Sequence, residues 1–163
     1  MKANESQGSQ VWLWAPVVLA AGGVLVSGDL SVKRFTGGSL ACTRWAECDV
    51  VNNSVYAKIY GVPVAFIGLA GYLVILCLAM AALQTEGATQ RRLLALGFLS
   101  ALGGFGFSVY LTYLEIYVIE AICMWCVISA VLITLLTIIG GLNLRRTAHD
   151  PLDTSPTPSA LRP

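Results

Sequence analysis

The sequence predicts an all-α integral membrane protein, a four-helix bundle with a long extracytoplasmic loop between the first two helices. Only 12% of the 163 residues are charged and 56% are hydrophobic, whereas soluble domains carry about 25% charged residues. The mean hydropathy is accordingly high, at +0.74. Charges are absent from four separate stretches, 11–28, 59–85, 93–114 and 121–144. So few charges could not cover the surface of a soluble globular enzyme, and that class is excluded.

The length of each uncharged stretch sets the predicted helices. A bilayer core of about 30 Å requires roughly 20 helical residues, which the last three stretches supply comfortably and the first supplies marginally. We predict helices at about 11–28, 61–83, 93–117 and 121–143, an outer loop at 29–60, and a disordered cytoplasmic tail at 145–163, where four prolines occur. A signal peptide is the alternative for the first stretch. It is disfavoured because Glu5 cancels the charge of Lys2 and no Ala-x-Ala cleavage site follows.

The basic residues indicate the orientation of the four helices. The positive-inside rule compares Lys and Arg near the two ends of the membrane spans. The side that holds both termini and the second loop carries Lys2, Arg91, Arg92, Arg145, Arg146 and Arg162, and the first loop carries Lys33, Arg34, Arg44 and Lys58. We therefore expect an integral plasma-membrane protein with cytoplasmic termini, whose first and third loops face the periplasm or the cell exterior. The net charge of +1 gives no reason to expect a nucleic-acid partner.

Four of the five cysteines form two pairs on the expected outer side. Cys42 and Cys48 lie in the long loop, and Cys123 and Cys126 form a C-x-x-C at the start of the fourth helix. Cys77 stands alone in the second helix, where we expect it to pack as a small apolar side chain. The outer compartment tolerates disulfides, so both pairs are candidates for redox chemistry.

The position of the C-x-x-C favours a reactive thiol. Free N–H groups and the macrodipole at a helix start stabilise a thiolate, and Cys126 lies roughly 4.5 Å deeper toward the bilayer than Cys123. Cys123 would face the watery loop and Cys126 the lipid side, which gives electron flow a direction. The same cysteines allow two other interpretations: a four-thiolate zinc site and a static disulfide between Cys42 and Cys48.

The cysteine layout and the sequence around it resemble the vitamin K epoxide reductase family in its bacterial form. The segment 48–72, CDVVNNSVYAKIYGVPVAFIGLAGY, is similar to the family's loop and second helix, and SVYL at 108–111 followed by CMWC at 123–126 is similar to its third and fourth helices. The resemblance covers about residues 11–144. It implies a catalytic membrane domain over 1–144 that reduces a quinone with electrons from thiols.

The resemblance also implies a path for those electrons. A thioredoxin-like partner would reduce a Cys42–Cys48 disulfide, Cys48 would attack Cys123, and the freed Cys126 thiolate would reduce menaquinone, ubiquinone or phylloquinone, in support of disulfide formation outside the cytoplasm. Ser54 matches a family serine near the quinone or the loop pair. Ala130 and Val64 replace a tyrosine and an asparagine of the animal members, which favours simple quinone reduction over epoxide reduction. Many bacterial members carry a fused thioredoxin-like domain; we expect that this chain does not and that its partner is a separate protein.

Aromatic residues are further candidates for a quinone site. Tyr110, Tyr113 and Tyr117 share one face of the third helix, where they would form either an interfacial aromatic belt or part of a quinone pocket. Phe66 and Phe107 could serve the same pocket. We predict Ser54, Phe66, Tyr110 and Tyr113 as quinone-binding residues. Glycines in the second and third helices would allow close packing or leave room for a ring; they are Gly68, Gly71, Gly103, Gly104 and Gly106.

Two acidic residues flank the turn before the C-x-x-C. We expect Glu115 and Glu120 to be solvated charges at the membrane boundary rather than acid–base catalysts, and we expect no metal cofactor. The alternative function is heavy-metal binding or transport, as in small mercury transporters, but those relay metal to the cytoplasm whereas both pairs here would face outward. A bundle with a purely stabilising disulfide is the third interpretation.

Overall fold

The computed structural model describes residues 2–36, 50–51 and 54–149, and its architecture is helical, as predicted. Four long helices follow in order: α1 (Lys2–Thr36), α2 (Val64–Leu83), α3 (Gly87–Leu114) and α4 (Met124–His149). A 3₁₀ turn (Val55–Ala57) and two short strands, β1 (Lys58–Ile59) and β2 (Val62–Pro63), precede α2, and a π-helical turn (Glu115–Ile119) extends α3.

All four helices carry a segment long and apolar enough to cross a bilayer. These segments are Val11–Thr36, Val64–Leu83, Gly87–Ile119 and Met124–Thr147. Each helix packs against two neighbours, so that α1, α2, α3 and α4 form a ring in which α4 returns to contact α1. Many large apolar side chains point outward from this ring, as expected when lipid rather than water surrounds a bundle. The protein is therefore an integral membrane protein with a four-helix bundle.

α1 continues beyond the predicted end of the first helix at residue 28. Asp29 and Lys33 form an ion pair of 3.0 Å one turn apart, and the Ser31 hydroxyl donates to the carbonyl of Ser27 at 2.7 Å. These contacts within the helix offset the loss of apolar residues, so the helix extends to Thr36 and the loop begins later than predicted. α4 likewise runs through Arg145 to His149; residues 150–163 of the predicted tail lie outside the described residues.

The end of the loop between α1 and α2 is a tight hairpin. Ile59 pairs with Val62, and the two residues between them, Tyr60 and Gly61, have φ of 49° and 84°. Positive φ at both central residues defines the type I′ turn that suits the twist of paired strands. The hairpin leads the chain directly from the loop into the start of α2.

The middle of the bundle is packed around Tyr72 of α2. Its ring is only 4% exposed and lies against Gly23 of α1, where a β-carbon would overlap the ring atoms. Its hydroxyl donates to the carbonyl of Ser129 on α4 at 2.8 Å. One side chain thus joins three helices, and only a glycine at position 23 leaves room for it.

The first and last helices are joined near the end of the bundle that holds both termini. The side-chain amide of Asn143, on α4, donates to the carbonyl of Trp12, on α1, at 2.8 Å. The Arg146 guanidinium lies 4.2 Å from the centre of the Trp12 ring, a cation–π geometry. These two contacts join α4 to α1 at the end opposite the C-x-x-C.

Candidate active site

A sharp chain reversal between α3 and α4 builds the candidate site. The π-helical turn is followed by Glu120, whose φ of 54° turns the chain back. The amide of Ala121 then donates to the carbonyl of Glu115 at 3.2 Å. This reversal places the residues just before α4 against the end of α3, so that Cys123 lies beside Glu115.

Cys123 occupies the N-cap position of α4. Its carbonyl accepts the first hydrogen bond of that helix, from the amide of Val127 at 3.0 Å, and its side chain is 1% exposed. The Cys126 thiol donates a hydrogen bond to the Cys123 sulfur and lowers the pKa of Cys123 below its ordinary value; burial and the charge of Glu115 oppose this shift, and the amides of Cys126 and Trp125 reinforce it. The amides at the helix start therefore contribute to the lowered pKa of Cys123, but its largest cause is the Cys126 thiol, which the expectation did not include.

Glu115 is buried, which contradicts the expectation of a solvated boundary charge. Its side chain is 6% exposed. One carboxylate oxygen, Oε2, accepts the backbone amide of Cys123 at 3.3 Å, and the carboxylate also accepts a hydrogen bond from the Cys126 thiol. The expectation failed because it took the turn as open to solvent, whereas the reversal folds it onto the bundle. Glu120 is exposed, as expected.

The face of α3 carries a signal that could have identified Glu115. Residues three, four and seven positions before it lie on the same side of a helix, and these are Thr112, Leu111 and Ser108. All three line the same cavity as Glu115. The carboxylate is thus the last member of a stripe that lines the cavity rather than the first residue of a loop.

A cavity of about 380 Å³ lies between the four helices beside the C-x-x-C. Both Cys123 and Cys126 line it, and most of its remaining wall is apolar. Its volume falls within the range of about 300–1,000 Å³ that is typical of small-molecule sites. Glycines form part of the wall, namely Gly68, Gly71, Gly103 and Gly104. A β-carbon at Gly71 or Gly103 would meet no neighbour, so these two glycines leave open space rather than permitting close helix packing.

Two of the residues suggested from the sequence line this cavity. Ser54 lies at its loop side, and its hydroxyl donates to the carbonyl of Val51 at 2.8 Å. Phe107 lines the cavity from α3. Tyr72, which the sequence reasoning did not consider, forms part of the wall through its buried ring.

The other four suggested aromatic residues, Tyr110, Tyr113, Tyr117 and Phe66, do not line the cavity. Tyr110 and Tyr113 are 52% and 56% exposed, and the Tyr113 ring packs on that of Tyr117, with 5.1 Å between centroids. This outward face agrees with the aromatic-belt interpretation. Phe66 packs edge-to-face on Phe35 of α1, with centroids 5.2 Å apart, and is not among the lining residues.

The remaining cysteines are placed as follows. Cys77 is a free thiol on the exposed surface of α2, so its neighbours on that side lie outside the bundle. Cys42 and Cys48 lie outside the described residues. Within the described ranges, no group of three or more His, Cys, Asp or Glu side chains is arranged to hold a metal ion. The four-cysteine zinc site would require Cys42 and Cys48, which lie outside those ranges, so it stays an open alternative.

A family comparison agrees with the geometry of the bundle and its thiols. The model of the vitamin K epoxide reductase family matches residues 14–140, which is most of the chain and includes all four helices, the loop and the C-x-x-C. Members of this family are membrane oxidoreductases linked to quinones. With its four membrane helices and its pair of thiols at a shared apolar cavity, the chain belongs to the vitamin K epoxide reductase family.

Proposed function

We propose that this oxidoreductase reduces a quinone with electrons from a separate thioredoxin-like thiol protein and so supports disulfide formation outside the cytoplasm. The observation that carries the proposal is that both C-x-x-C thiols line one apolar cavity between the helices. A quinone ring is flat, apolar and of a size that such a cavity accommodates. Ser54, Phe107 and Tyr72 would form its surroundings.

The chemistry needs the two thiols to play different parts. Cys123, with its lowered pKa, would be the sulfur that receives electrons from the loop, because it lies at the chain reversal and precedes the membrane helix. Cys126, one turn deeper, would deliver the electron pair to the quinone. A quinone takes up two electrons and two protons and leaves as quinol, and the C-x-x-C closes to a disulfide.

The loop pair would connect this site to the partner protein. Val51 packs in the same buried cluster as Cys123 and Ala121, and the three peptide units between Cys48 and Val51 span at most about 10 Å. The chain therefore allows Cys48 to reach the neighbourhood of Cys123. In the proposed relay the partner reduces the Cys42–Cys48 disulfide, and the Cys48 thiolate then attacks the Cys123–Cys126 disulfide at Cys123. Each transfer passes through a mixed disulfide.

The orientation of the bundle belongs to the same proposal. The C-x-x-C, the loop and the hairpin would face the periplasm or the cell exterior, and the Trp12–Arg146 end of the bundle would face the cytoplasm. This arrangement would make the partner's thiols and the C-x-x-C accessible from the compartment in which disulfides form.

A single-turnover assay tests the quinone step. The purified protein is reduced with dithiothreitol, freed of reductant and mixed without oxygen with short-chain ubiquinone, and quinol formation is followed by absorbance. We expect the wild-type chain to form twice as much quinol as the Cys42→Ala/Cys48→Ala variant, because each dithiol carries two electrons. Cys126→Ala should form none.

The control for this assay is Cys77→Ala, which removes a thiol on the exposed face of α2 and should leave quinol formation unchanged. Quinol formation by Cys126→Ala at the wild-type rate would refute the proposal. Menadione replaces ubiquinone in a parallel set, so that a preference for a naphthoquinone ring is not mistaken for inactivity.

A further inference from the structure

Glu115 is a buried acidic residue that takes no part in the electron relay proposed above. It is 6% exposed in a segment that crosses the membrane, and it is the one carboxylate among the described residues that line the cavity. The groups that act on its carboxylate are Cys126 and Cys123, neither of which carries a positive charge. Burying a carboxylate without a cationic partner is costly unless hydrogen bonds compensate for it.

The hydrogen-bond partners of Glu115 are the two cysteines of the C-x-x-C. Its Oε2 accepts a hydrogen bond from the Cys123 backbone amide at 3.3 Å. The carboxylate also accepts a hydrogen bond from the Cys126 thiol. The same thiol also donates toward the Cys123 sulfur. The Cys126 thiol has a single proton, for which the Cys123 sulfur and the Glu115 carboxylate are alternative acceptors. The carboxylate therefore lies beside the S–H bond that must break when the dithiol is oxidised, on the wall of the same cavity.

Quinone reduction in an apolar cavity needs a group that moves protons. The reaction removes a proton from the Cys126 thiol and adds one proton to each of the two quinone oxygens. Because the cavity wall is mostly apolar, it offers few polar groups that could hold water for these proton transfers. The hydroxyl of Tyr72 is engaged with Ser129, and hydroxyls are far weaker proton acceptors than a carboxylate at neutral pH. Glu115 satisfies the geometric condition for a general base, which is hydrogen-bond contact with the proton it takes.

We propose that Glu115 is a catalytic proton carrier, which takes the proton of the Cys126 thiol and delivers it to a quinone oxygen. This inference rests on the proposed function and adds a residue to its chemistry. It concerns the quinone half-reaction alone, which starts from the reduced site after the Cys126 thiolate released by thiol–disulfide exchange has taken up a proton from water.

The step balances as follows. The Cys126 S–H bond breaks and its proton goes to the Glu115 carboxylate, while the Cys126 sulfur gives its electron pair to the quinone. The Cys123 thiolate then forms the S–S bond with Cys126, so that the two sulfurs lose two electrons in total. One quinone oxygen takes the proton from Glu115, which regenerates the carboxylate, and the other takes a proton from water, equal to the one Cys123 released when it ionised. The products are the disulfide and the quinol.

Glu115→Gln is the test variant, because the amide oxygen keeps an acceptor for the Cys123 backbone N–H but cannot take up a proton. Glu120→Gln is the matched control: it makes the same change of charge five residues later on an exposed side chain. Each reduced variant is mixed with short-chain ubiquinone over a range of quinone concentrations, so that the maximal rate and the half-saturating concentration are obtained separately. In parallel, the alkylation rate of Cys123 by iodoacetamide reports the thiol environment.

We expect Glu115→Gln to lower the maximal rate of quinol formation about a hundredfold, the lower end of the usual range for general acid–base catalysis. The half-saturating quinone concentration should change less than threefold, and Glu120→Gln should behave as wild type. Alkylation of Cys123 should proceed at no less than the wild-type rate, because removal of the Glu115 charge takes away a group that disfavours the thiolate.

Two results would overturn the inference. A maximal rate in Glu115→Gln within threefold of that in Glu120→Gln would show that no proton passes through the carboxylate. Equal slowing of quinol formation and of Cys123 alkylation would show that Glu115 only maintains the local structure. A wild-type chain that forms no quinol with any quinone would instead refute the proposed function, and with it this inference.

Discussion

At the residue scale, the two thiols of the C-x-x-C differ because they occupy different positions relative to α4. Cys123 is the N-cap residue, and the amides of Trp125 and Cys126 donate to its sulfur. Such amides at a helix start have no partner within the helix and favour negative charge. Cys126 is already inside the helix and serves as the donor to Cys123. In the substrate-free protein, Cys123 is therefore the hydrogen-bond acceptor of the pair and Cys126 is the donor.

This ordering predicts how the reactivity of Cys123 depends on pH. Thiolate is the reactive form, so alkylation slows as the pH falls through the pKa of Cys123; because that pKa is lowered, the midpoint should lie below that of free cysteine. Cys126→Ala removes the largest cause of the shift and leaves burial and the Glu115 charge, which both raise the pKa. The midpoint should then move to higher pH.

The measurement is iodoacetamide alkylation against pH, quantified on the Cys123 peptide by mass spectrometry in a Cys42→Ala/Cys48→Ala/Cys77→Ala background. Cys126→Ser is the matched control, since its hydroxyl keeps a donor to the Cys123 sulfur, and its midpoint should remain below that of Cys126→Ala. A midpoint that stays in place or moves to lower pH in Cys126→Ala would contradict the assignment of Cys126 as the donor.

The sequence identified both C-x-x-C thiols, but it did not identify their acidic neighbour. The spacing of Cys123 and Cys126 and their place at a helix start are local properties, which the sequence carries directly. The burial of Glu115 depends on the reversal at Glu120, where a non-glycine residue adopts a left-handed conformation. Single-residue conformations of this kind are set by the packing around them, so the helical spacing of Ser108, Thr112 and Glu115 indicates a shared face but not the burial of the carboxylate.

At the element scale, the helices were predictable in number and position but not in the direction that each face points. Long uncharged stretches mark membrane helices because every charge in hydrocarbon is costly. Inside a membrane, however, inward and outward faces are both apolar, so the alternation of polar and apolar residues that orients a soluble helix is weak. This is the physical reason why Tyr110 and Tyr113 remained ambiguous from the sequence, and why Phe66 was placed at the cavity although it packs on Phe35.

The contact between α1 and α2 predicts a strong difference between two neighbouring glycines. A β-carbon at Gly23 would overlap the Tyr72 ring, whereas one at Gly22 would lie 3.8 Å from Leu132, an ordinary van der Waals contact. Both substitutions to alanine gain similar helix propensity. Gly23→Ala should nevertheless destabilise the protein by about 1–3 kcal/mol, the usual cost of overpacking.

Thermal unfolding in detergent, followed by circular dichroism, measures this difference. At about 2–4 °C per kcal/mol for a chain of this size, Gly23→Ala should unfold several degrees below wild type, and Gly22→Ala at or above it. Equal unfolding temperatures for the two variants would show that Tyr72 can move away from α1 at little cost.

At the scale of the whole molecule, the candidate active site and the contacts that join α1 to α4 lie at opposite ends of the bundle. One end holds the C-x-x-C, Glu115 and the cavity, and the other holds the contacts of Trp12 with Asn143 and Arg146. The fold class and the family were predictable because both depend on patterns spread over the whole chain, namely the uncharged stretches and the layout of the cysteines. The cavity was not predictable, because its walls come from all four helices and are defined only when the ring is closed.

The proposed relay predicts that Cys48 and Cys123 meet on one side of the membrane. In a Cys42→Ala/Cys126→Ala variant, mild oxidation with diamide should join Cys48 to Cys123, since their usual partners are absent. Peptide mass mapping without reduction would detect the bond. The matched control is Cys48→Ala/Cys126→Ala, in which Cys42 is the remaining loop thiol and should form much less disulfide with Cys123. Failure of Cys48 to join Cys123 would contradict the relay and the one-sided placement of the two pairs.

The adjacency of α1 and α4 has a consequence for biogenesis. The ribosome makes α1 first and α4 last, yet α1 obtains its second neighbour, and Trp12 its contacts with Asn143 and Arg146, only from α4. The nascent protein therefore waits in the membrane as three helices with an open flank, which lacks both thiols and one wall of the cavity. Assembly of the ring and completion of the cavity with its C-x-x-C are therefore the same event, so a chain interrupted before α4 has the loop cysteines but no C-x-x-C to receive their electrons.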